Sequence, residues 1–195
     1  LLILFSMIQR GENRMLKSNT ESVVSIEEVK DFGLIIVKAN FLDNKICDLL
    51  QTSTGLQTPK TGKISIGKNL SIGWMSKDEY AIILRNVDAD RIANKIKVKM
   101  KKEDHLCINM SDSRRCFRLL GHGWREVLSK GTPADLHPEV FGVGGFRRTR
   151  IANVAVAIWP TSDNEVYIFS MFSVGSFILD WLRTAGLKSG QLNFF

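Results

Sequence analysis

The stretch Ser111 to Pro138, SDSRRCFRLLGHGWREVLSKGTPADLHP, constrains this chain most, because its local signals allow one succession of elements. Arg115–Leu120 alternates as a strand does, with Phe117 and Leu119 on one face and Arg118 and Leu120 on the other. Gly121 and Gly123 permit a sharp turn. Trp124, Val127 and Leu128 recur at i, i+3 and i+4, the spacing of one helical face. Gly131 is placed to end that helix, and Pro133 forbids its continuation. A strand, a turn, a short helix and a Pro-bounded exit follow, with few reactive side chains among them.

Upstream, Gly33–Ala39 (GLIIVKA) has the β-branched composition of a buried strand. A helix is predicted next, capped by Asn40, carrying Leu42, Ile46, Leu49 and Leu50, and stopping at Gly55. Short strands are expected at Lys63–Ile66, Leu70–Trp74 and Tyr80–Leu84. Asp88 caps a second helix that runs into KIKVKMKKED, and His105–Met110 is a further strand. Downstream, Phe141–Phe146 is a glycine-rich loop, and strand Ile151–Trp159 pairs with Glu165–Ser170 across the turn Pro160–Asn164. Ser173 caps the last helix, whose stripe is Phe177, Ile178, Trp181, Leu182 and Ala185 and whose stop is Gly186.

The two halves share this order of elements, and Trp74 and Trp159, like Phe32 and Phe117, stand 85 residues apart. The pattern predicts an α+β fold of two similar subdomains, residues 29–102 and 103–186, each an antiparallel-rich sheet with flanking helices. Residues 1–28 are expected to form a disordered or extended arm and 187–195 a tail. The opening run LLILFSMI is too short for a membrane span and lacks the flanks of a signal peptide. The true start is expected at Met7 or Met15, the latter placing all of residues 1–14 upstream of it.

The net charge of +7 raises the question of an acidic partner. Neither Lys95–Lys102 nor Arg114, Arg115 and Arg118 is interleaved with exposed aromatics, and no nucleic-acid motif is present, so no nucleic-acid partner is expected. Cys47, Cys107 and Cys116 form no CxxC pair, which argues for buried thiols and a reducing, cytoplasmic compartment. His137 stands two residues after Asp135, but no nucleophile has a local signature, and His105 and His122 supply no metal spacing. Gly142, Gly144 and Gly145 precede a strand instead of opening a helix, which disfavours a dinucleotide site.

The opening stretch resembles the gamma subunit of heterotetrameric sarcosine oxidase. The residues carrying the resemblance are Ser111-Asp112-Ser113-Arg114, Leu119, Gly121, Glu126-Val127-Leu128, Lys130-Gly131, Asp135-Leu136-His137-Pro138, Phe141 and Gly145. Thr149-Arg150-Ile151-Ala152, Ile72-Gly73-Trp74 with Asp78-Glu79-Tyr80, and Trp181-Leu182 in the last helix extend it over Val29 to Ala185. Pro160 and Lys95–Lys102 depart from that pattern. The resemblance implies a fold like the folate-binding module of the glycine-cleavage aminomethyltransferase. It also implies a non-catalytic place in a flavoenzyme that demethylates sarcosine to glycine, giving hydrogen peroxide and formaldehyde or 5,10-methylenetetrahydrofolate. No catalytic, cofactor-binding or metal-ligating residue is then expected in this chain. FAD, FMN, NAD, tetrahydrofolate and zinc fall to the alpha, beta and delta partners, with alpha the chief contact and no membrane involved. Trp124, Asp135, His137, Arg147, Arg148 and Arg150 are expected to form the interface or anchor its loop. Other readings are a gamma-type subunit for a different N-methyl amino acid, or a stand-alone folate-binding one-carbon protein.

Overall fold

The computed structural model describes residues 22–191. The expected upstream segment, most of the N-terminal arm and residues 192–195 of the tail lie outside the described residues. Two compact units are present, one of residues 31–112 and one of residues 22–30 with 113–191.

The first unit runs β2 (Gly33–Ala39), α1 (Asn44–Thr54), β3 (Ile64–Ile66), β4 (Leu70–Ser76), β5 (Glu79–Leu84), α2 (Asn86–Lys99) and β6 (His105–Asn109). Its strands form one antiparallel sheet in the order β3-β4-β5-β2-β6. Ile46 and Leu50 of α1 and Ile92 and Ile96 of α2 pack on Ile35, Val37, Ile72 and Ile82. Each such side chain contributes about 1.5–3 kcal/mol on full burial.

The second unit consists of β1 (Ser25–Val29), β7 (Arg114–Leu120), α3 (Trp124–Ser129), β8 (Arg147–Ile151), β9 (Val154–Ser162), β10 (Glu165–Met171) and α4 (Gly175–Ala185). Its sheet order is β1-β7-β10-β9-β8. Phe117, Leu119, Ile158 and Ile168 from the sheet meet Val127 and Leu128 of α3 and Ile178 and Leu182 of α4.

Each unit thus repeats strand, helix, three strands, helix, and takes its outer edge strand from just before the other repeat. β1 pairs with β7, and β6 pairs with β2. The expected boundary between residues 102 and 103 therefore moves, because β6 completes the first sheet. Residues 25–28, assigned to an arm, are strand residues whose ladder covers an otherwise open edge of β7. The start of the expected tail is also tied down: Ser22 bridges Leu187, and Val23 N–H donates to Gly186 O at 2.8 Å.

The repeat is one of topology and not of aromatic positions. Phe32 precedes β2, whereas Phe117 lies in the middle of β7. Ile72 opposite Ile82 and Ile158 opposite Ile168 are the equivalent pairs, each beneath its helices. Trp74 sits on that helix face, but Trp159, adjacent to Ile158, points to the opposite face.

Several local expectations are corrected. Asp43, not Asn40, caps α1 by accepting Lys45 N–H at 2.8 Å, which leaves Leu42 outside the helix and exposed. Gly55 does end α1, at φ 79°. Asp88 lies in the first turn of α2, after the N-cap position held by Arg85. Ser173 belongs to a 3-10 turn, Phe172–Val174, ahead of α4, and Phe177 is half exposed. The strand predicted at 151–159 is two strands. Ala152 and Asn153, at φ 44° and 70°, make the two-residue turn between β8 and β9. Pro160 stands beyond Ile158, the last β9 residue paired with β8, where one side of β9 has no neighbour to require its amide.

Candidate functional site

The chain from Gly131 to Phe146 links α3 to β8 without regular structure, yet it is pinned at nearly every turn. Arg125 does most of this. Its backbone is one residue into α3, its side chain is buried, and its Nη1 donates to Leu136 O at 2.5 Å and Phe141 O at 2.9 Å. The guanidinium lies 4.2 Å from the centre of the Trp124 ring. Burial lowers the Arg125 pKa, but two carbonyl dipoles and an aromatic face stand in for water around the cation. Hydrogen bonds to a charged group contribute about 1.5–3 kcal/mol each.

Arg147, at the start of β8, braces the same loop from the other end. It donates to Asp135 O at 2.7 Å and stacks 4.8 Å from the Phe141 ring centre. Leu136 and Phe141 are the loop's two apolar anchors, both 2% exposed. Val140 and Phe141 N–H close a turn on His137 O. Gly145 is required by contact: a Cβ there meets the Phe141 ring at 2.7 Å. Ala152 N–H donates to Gly131 O, and the Thr132 and Thr149 hydroxyls meet at 2.9 Å, fastening the loop base to β8.

Asp135, His137, Pro138, Glu139, Val140 and Val143 remain exposed on this rigid frame. Asp135 does not act on the His137 ring. Its carboxylate accepts the His137 backbone N–H at 2.8 Å, an Asx turn, and the ring Nδ1 instead faces Glu139. The loop therefore presents a shape with mixed charge, and no nucleophile–base pair is assembled in it. Burial pushes the Cys107 thiol up to about 11 and the Cys116 thiol well above its ordinary value, so neither is a thiolate at neutral pH. Among the described residues no group of three His, Cys, Asp or Glu side chains is placed to hold a metal ion. No described helix is long and apolar enough to cross a membrane.

The expected site residues separate into two groups. Trp124 is fully buried under the loop, its Nε1 donating to Asp163 O at 2.8 Å, and Arg147 is half-buried against Phe141. Asp135 and His137 are on the outer surface, and Arg148 and Arg150 project together from the exposed face of β8. Arg125 was missed, because an arginine beside an apolar helical stripe reads as a solvated residue. The signal that it was not solvated is the break at Gly131 and Pro133 downstream, which lets the chain fold back over it.

A family model described as the sarcosine oxidase gamma subunit family matches residues 39–188. The gamma subunit of sarcosine oxidase from Arthrobacter sp. is 27% identical over 132 residues, 68% of this chain and 64% of that protein. The Corynebacterium sp. (strain P-1) counterpart is 30% identical over 112 residues, 57% of this chain and 54% of that protein. The matches thus span between half and two thirds of those relatives. The structure of heterotetrameric sarcosine oxidase from Corynebacterium sp. U-96, in complex with pyrrole 2-carboxylate, superposes with a TM-score of 0.80 at 23% identity, covering 90% of this chain and 89% of the other. Aminomethyltransferase T of the glycine cleavage system from Bartonella henselae shares the fold at a TM-score of 0.62 and 14% identity, over 84% of this chain and 46% of that one. With its family match running from the end of β2 past the end of α4, the chain belongs to the sarcosine oxidase gamma subunit family.

Proposed function

We propose that the chain is a non-catalytic structural subunit of a heterotetrameric flavoenzyme that oxidatively demethylates sarcosine to glycine. The products of that complex are hydrogen peroxide with formaldehyde or 5,10-methylenetetrahydrofolate. The partners are alpha, beta and delta chains, with the folate-binding part of alpha as the main docking surface. FAD, FMN, NAD, tetrahydrofolate and zinc are carried by those partners. The free thiols fit a reducing, cytoplasmic setting.

The observation that carries this reading is the loop braced by Arg125 and Arg147. A loop ordered before binding loses little conformational entropy on docking, so its exposed side chains contribute to affinity without first being fixed. Asp135 keeps the turn, His137 and Val140 offer contact, and Arg148 and Arg150 supply planar donors suited to carboxylates.

The test is co-expression with the partner chains, followed by native mass spectrometry and turnover. His137→Ala and Asp135→Ala are expected to weaken assembly while leaving the isolated chain folded. Unchanged assembly and turnover in both variants would sink the assignment of this loop, and a wild-type chain with no affinity for the partners would sink the subunit role. A thermal shift of the isolated chain with tetrahydrofolate would favour a folate-binding protein instead.

A further inference from the structure

The first sheet ends in β6, whose outer edge is paired with no described strand. β6 is the outermost strand, paired with β2 on one side only. Its hydrogen-bonding phase is fixed by Met110, whose N–H donates to Leu34 O at 2.7 Å. Antiparallel pairs alternate, so Ile108 opposite Ile36 and Leu106 opposite Lys38 exchange bonds with β2. The N–H and C=O groups of His105, Cys107 and Asn109 therefore point away from the sheet. Asn109 closes one end of this row, because its side chain is engaged with Asp90 and Ser111.

The side chains of β6 suit a further strand. Cys107 is buried toward α2, its thiol near Ala93 O, whereas Leu106 and Ile108 are 47% and 40% exposed on the other face. Natural edges are ordinarily blunted by an inward charge, a proline or a bulge, and β6 has none of these.

The flank of the edge is basic. Lys97 stands exposed on α2, one turn beyond the Ala93 O that the Cys107 thiol meets, and Lys101 and Lys102 stand exposed in the turn that delivers β6. None of the three makes an ion pair among the described residues. The nearby Glu103 is paired with Lys45 at 2.5 Å, which leaves Asp104, and Asp90 bonded to the neutral Asn109 amide, to oppose them. A strand arriving here gains from carrying acidic residues.

We propose that the outer edge of β6 receives an extended acidic segment of a partner subunit as an added strand of the sheet. This rests on the reading of the chain as a subunit, but it uses a surface in the opposite unit from the braced loop. Main-chain bonds to residues 105, 107 and 109 supply affinity, apolar side chains of the segment cover Leu106 and Ile108, and its carboxylates meet Lys97, Lys101 and Lys102.

The experiment is residue-resolved hydrogen exchange on the isolated chain and on the co-expressed complex, with assembly followed by native mass spectrometry. The amides of His105, Cys107 and Asn109 are expected to exchange rapidly in the isolated chain and at least about tenfold more slowly in the complex. Lys97→Glu with Lys101→Glu is expected to weaken assembly by about tenfold and to flatten its salt dependence, with Val98→Lys on the same helix as the silent control. A complex that forms with these amides still unprotected overturns the proposal and leaves the subunit role intact. Protection already present in the isolated chain overturns it too, in favour of a second copy if it grows with concentration and of internal cover if it does not. Absence of any complex overturns both readings.

Discussion

The two units share a strand order but differ at one equivalent place, the helix after the first strand of each repeat, β2 or β7. In the first unit that helix, α1, runs from Asn44 to Thr54, has an Asp43 cap and a Gly55 stop, and leads quickly into β3. In the second, α3 covers only Trp124–Ser129, and the chain from Lys130 to Phe146 takes up the remaining space. The cationic residues differ in parallel. Residues 31–112 hold many lysines and only Arg85 and Arg91, whereas the second unit relies on arginines. Lysines 95, 97, 99, 101 and 102 are all exposed. Arg115 makes two bonds to Glu28, Arg118 reaches Glu27 and Glu165, and Arg125 and Arg147 hold the loop. A planar guanidinium satisfies several acceptors at once, so it can replace a helix's internal ladder as the fastening of irregular chain, which a lysine ammonium does poorly.

The sharpest way to break that contrast is to remove one cation from each side. Arg125→Met leaves Leu136 O and Phe141 O buried without their donor and is expected to cost about 2–4 kcal/mol, read from urea denaturation. Lys99→Met on the exposed face of α2 is expected to stay within about 0.5 kcal/mol. Equal losses would erase the distinction between bracing and solvated cations.

The next largest effect concerns the two helix stops. Gly55 has φ 79° and open space around it, so Gly55→Ala acts through the backbone and costs about 1 kcal/mol. Gly131 is different: a Cβ there comes within 2.3 Å of the Trp181 ring on α4. Gly131→Ala is expected to cost about 1–3 kcal/mol by overpacking. Trp181→Phe, which withdraws the clashing edge, is expected to recover part of the Gly131→Ala loss and none of the Gly55→Ala loss. Thermal denaturation of the three single variants and of Trp181→Phe combined with each glycine variant decides it.

What was legible in the chain followed from periodicity. The alternation of Phe117 and Leu119, the stripe of Trp124, Val127 and Leu128, and the Gly55 stop all stand where local spacing places them. Gly131 was legible only as a helix stop, since its real constraint comes from Trp181, fifty residues away. The exchange of β1 and β6 was not legible, because strand partners are chosen by long-range pairing that composition does not encode. The β8–β9 turn was hidden by Ala152, which seldom takes φ 44°. Of the candidate site, Asp-Leu-His-Pro was visible as a motif, while the arginines that hold it were visible only as charge.

Ala152 offers a gain where the preceding changes give losses. A left-handed alanine costs about 1 kcal/mol relative to glycine, so Ala152→Gly is expected to stabilise the chain by up to that amount. No described non-glycine residue of the first unit has positive φ, so the gain is specific to the second. An unchanged or lowered Tm would mean that the Ala152 methyl, packed on the core, outweighs the backbone strain.

The smallest effect separates the units by acid titration. The hydrogen bond from Arg115 holds the Glu28 carboxyl below its ordinary 4.5, and the hydrogen bond from Arg91, with help from Arg85, holds Asp88 below 3.8. A depressed folded-state pKa stabilises the fold above the unfolded value, and that stabilisation disappears as pH falls through the folded one. Both pairs therefore contribute at neutral pH and are lost on the acid side, Glu28 beginning near pH 4.5 and Asp88 nearer 3.8. The settings differ: Arg115 is mostly covered and grips Glu28 with two bonds between β7 and β1, while Arg91 is largely exposed on α2. Salt screens the exposed pair more than the covered one. Denaturation midpoints from pH 3 to 7 are expected to show a flatter acid branch for Glu28→Gln at both low and high salt. Asp88→Asn is expected to flatten it only at low salt. If the two variants respond to salt alike, the arginines of the second sheet are surface pairs like those of the first, and the contrast between the units reduces to the braced loop alone.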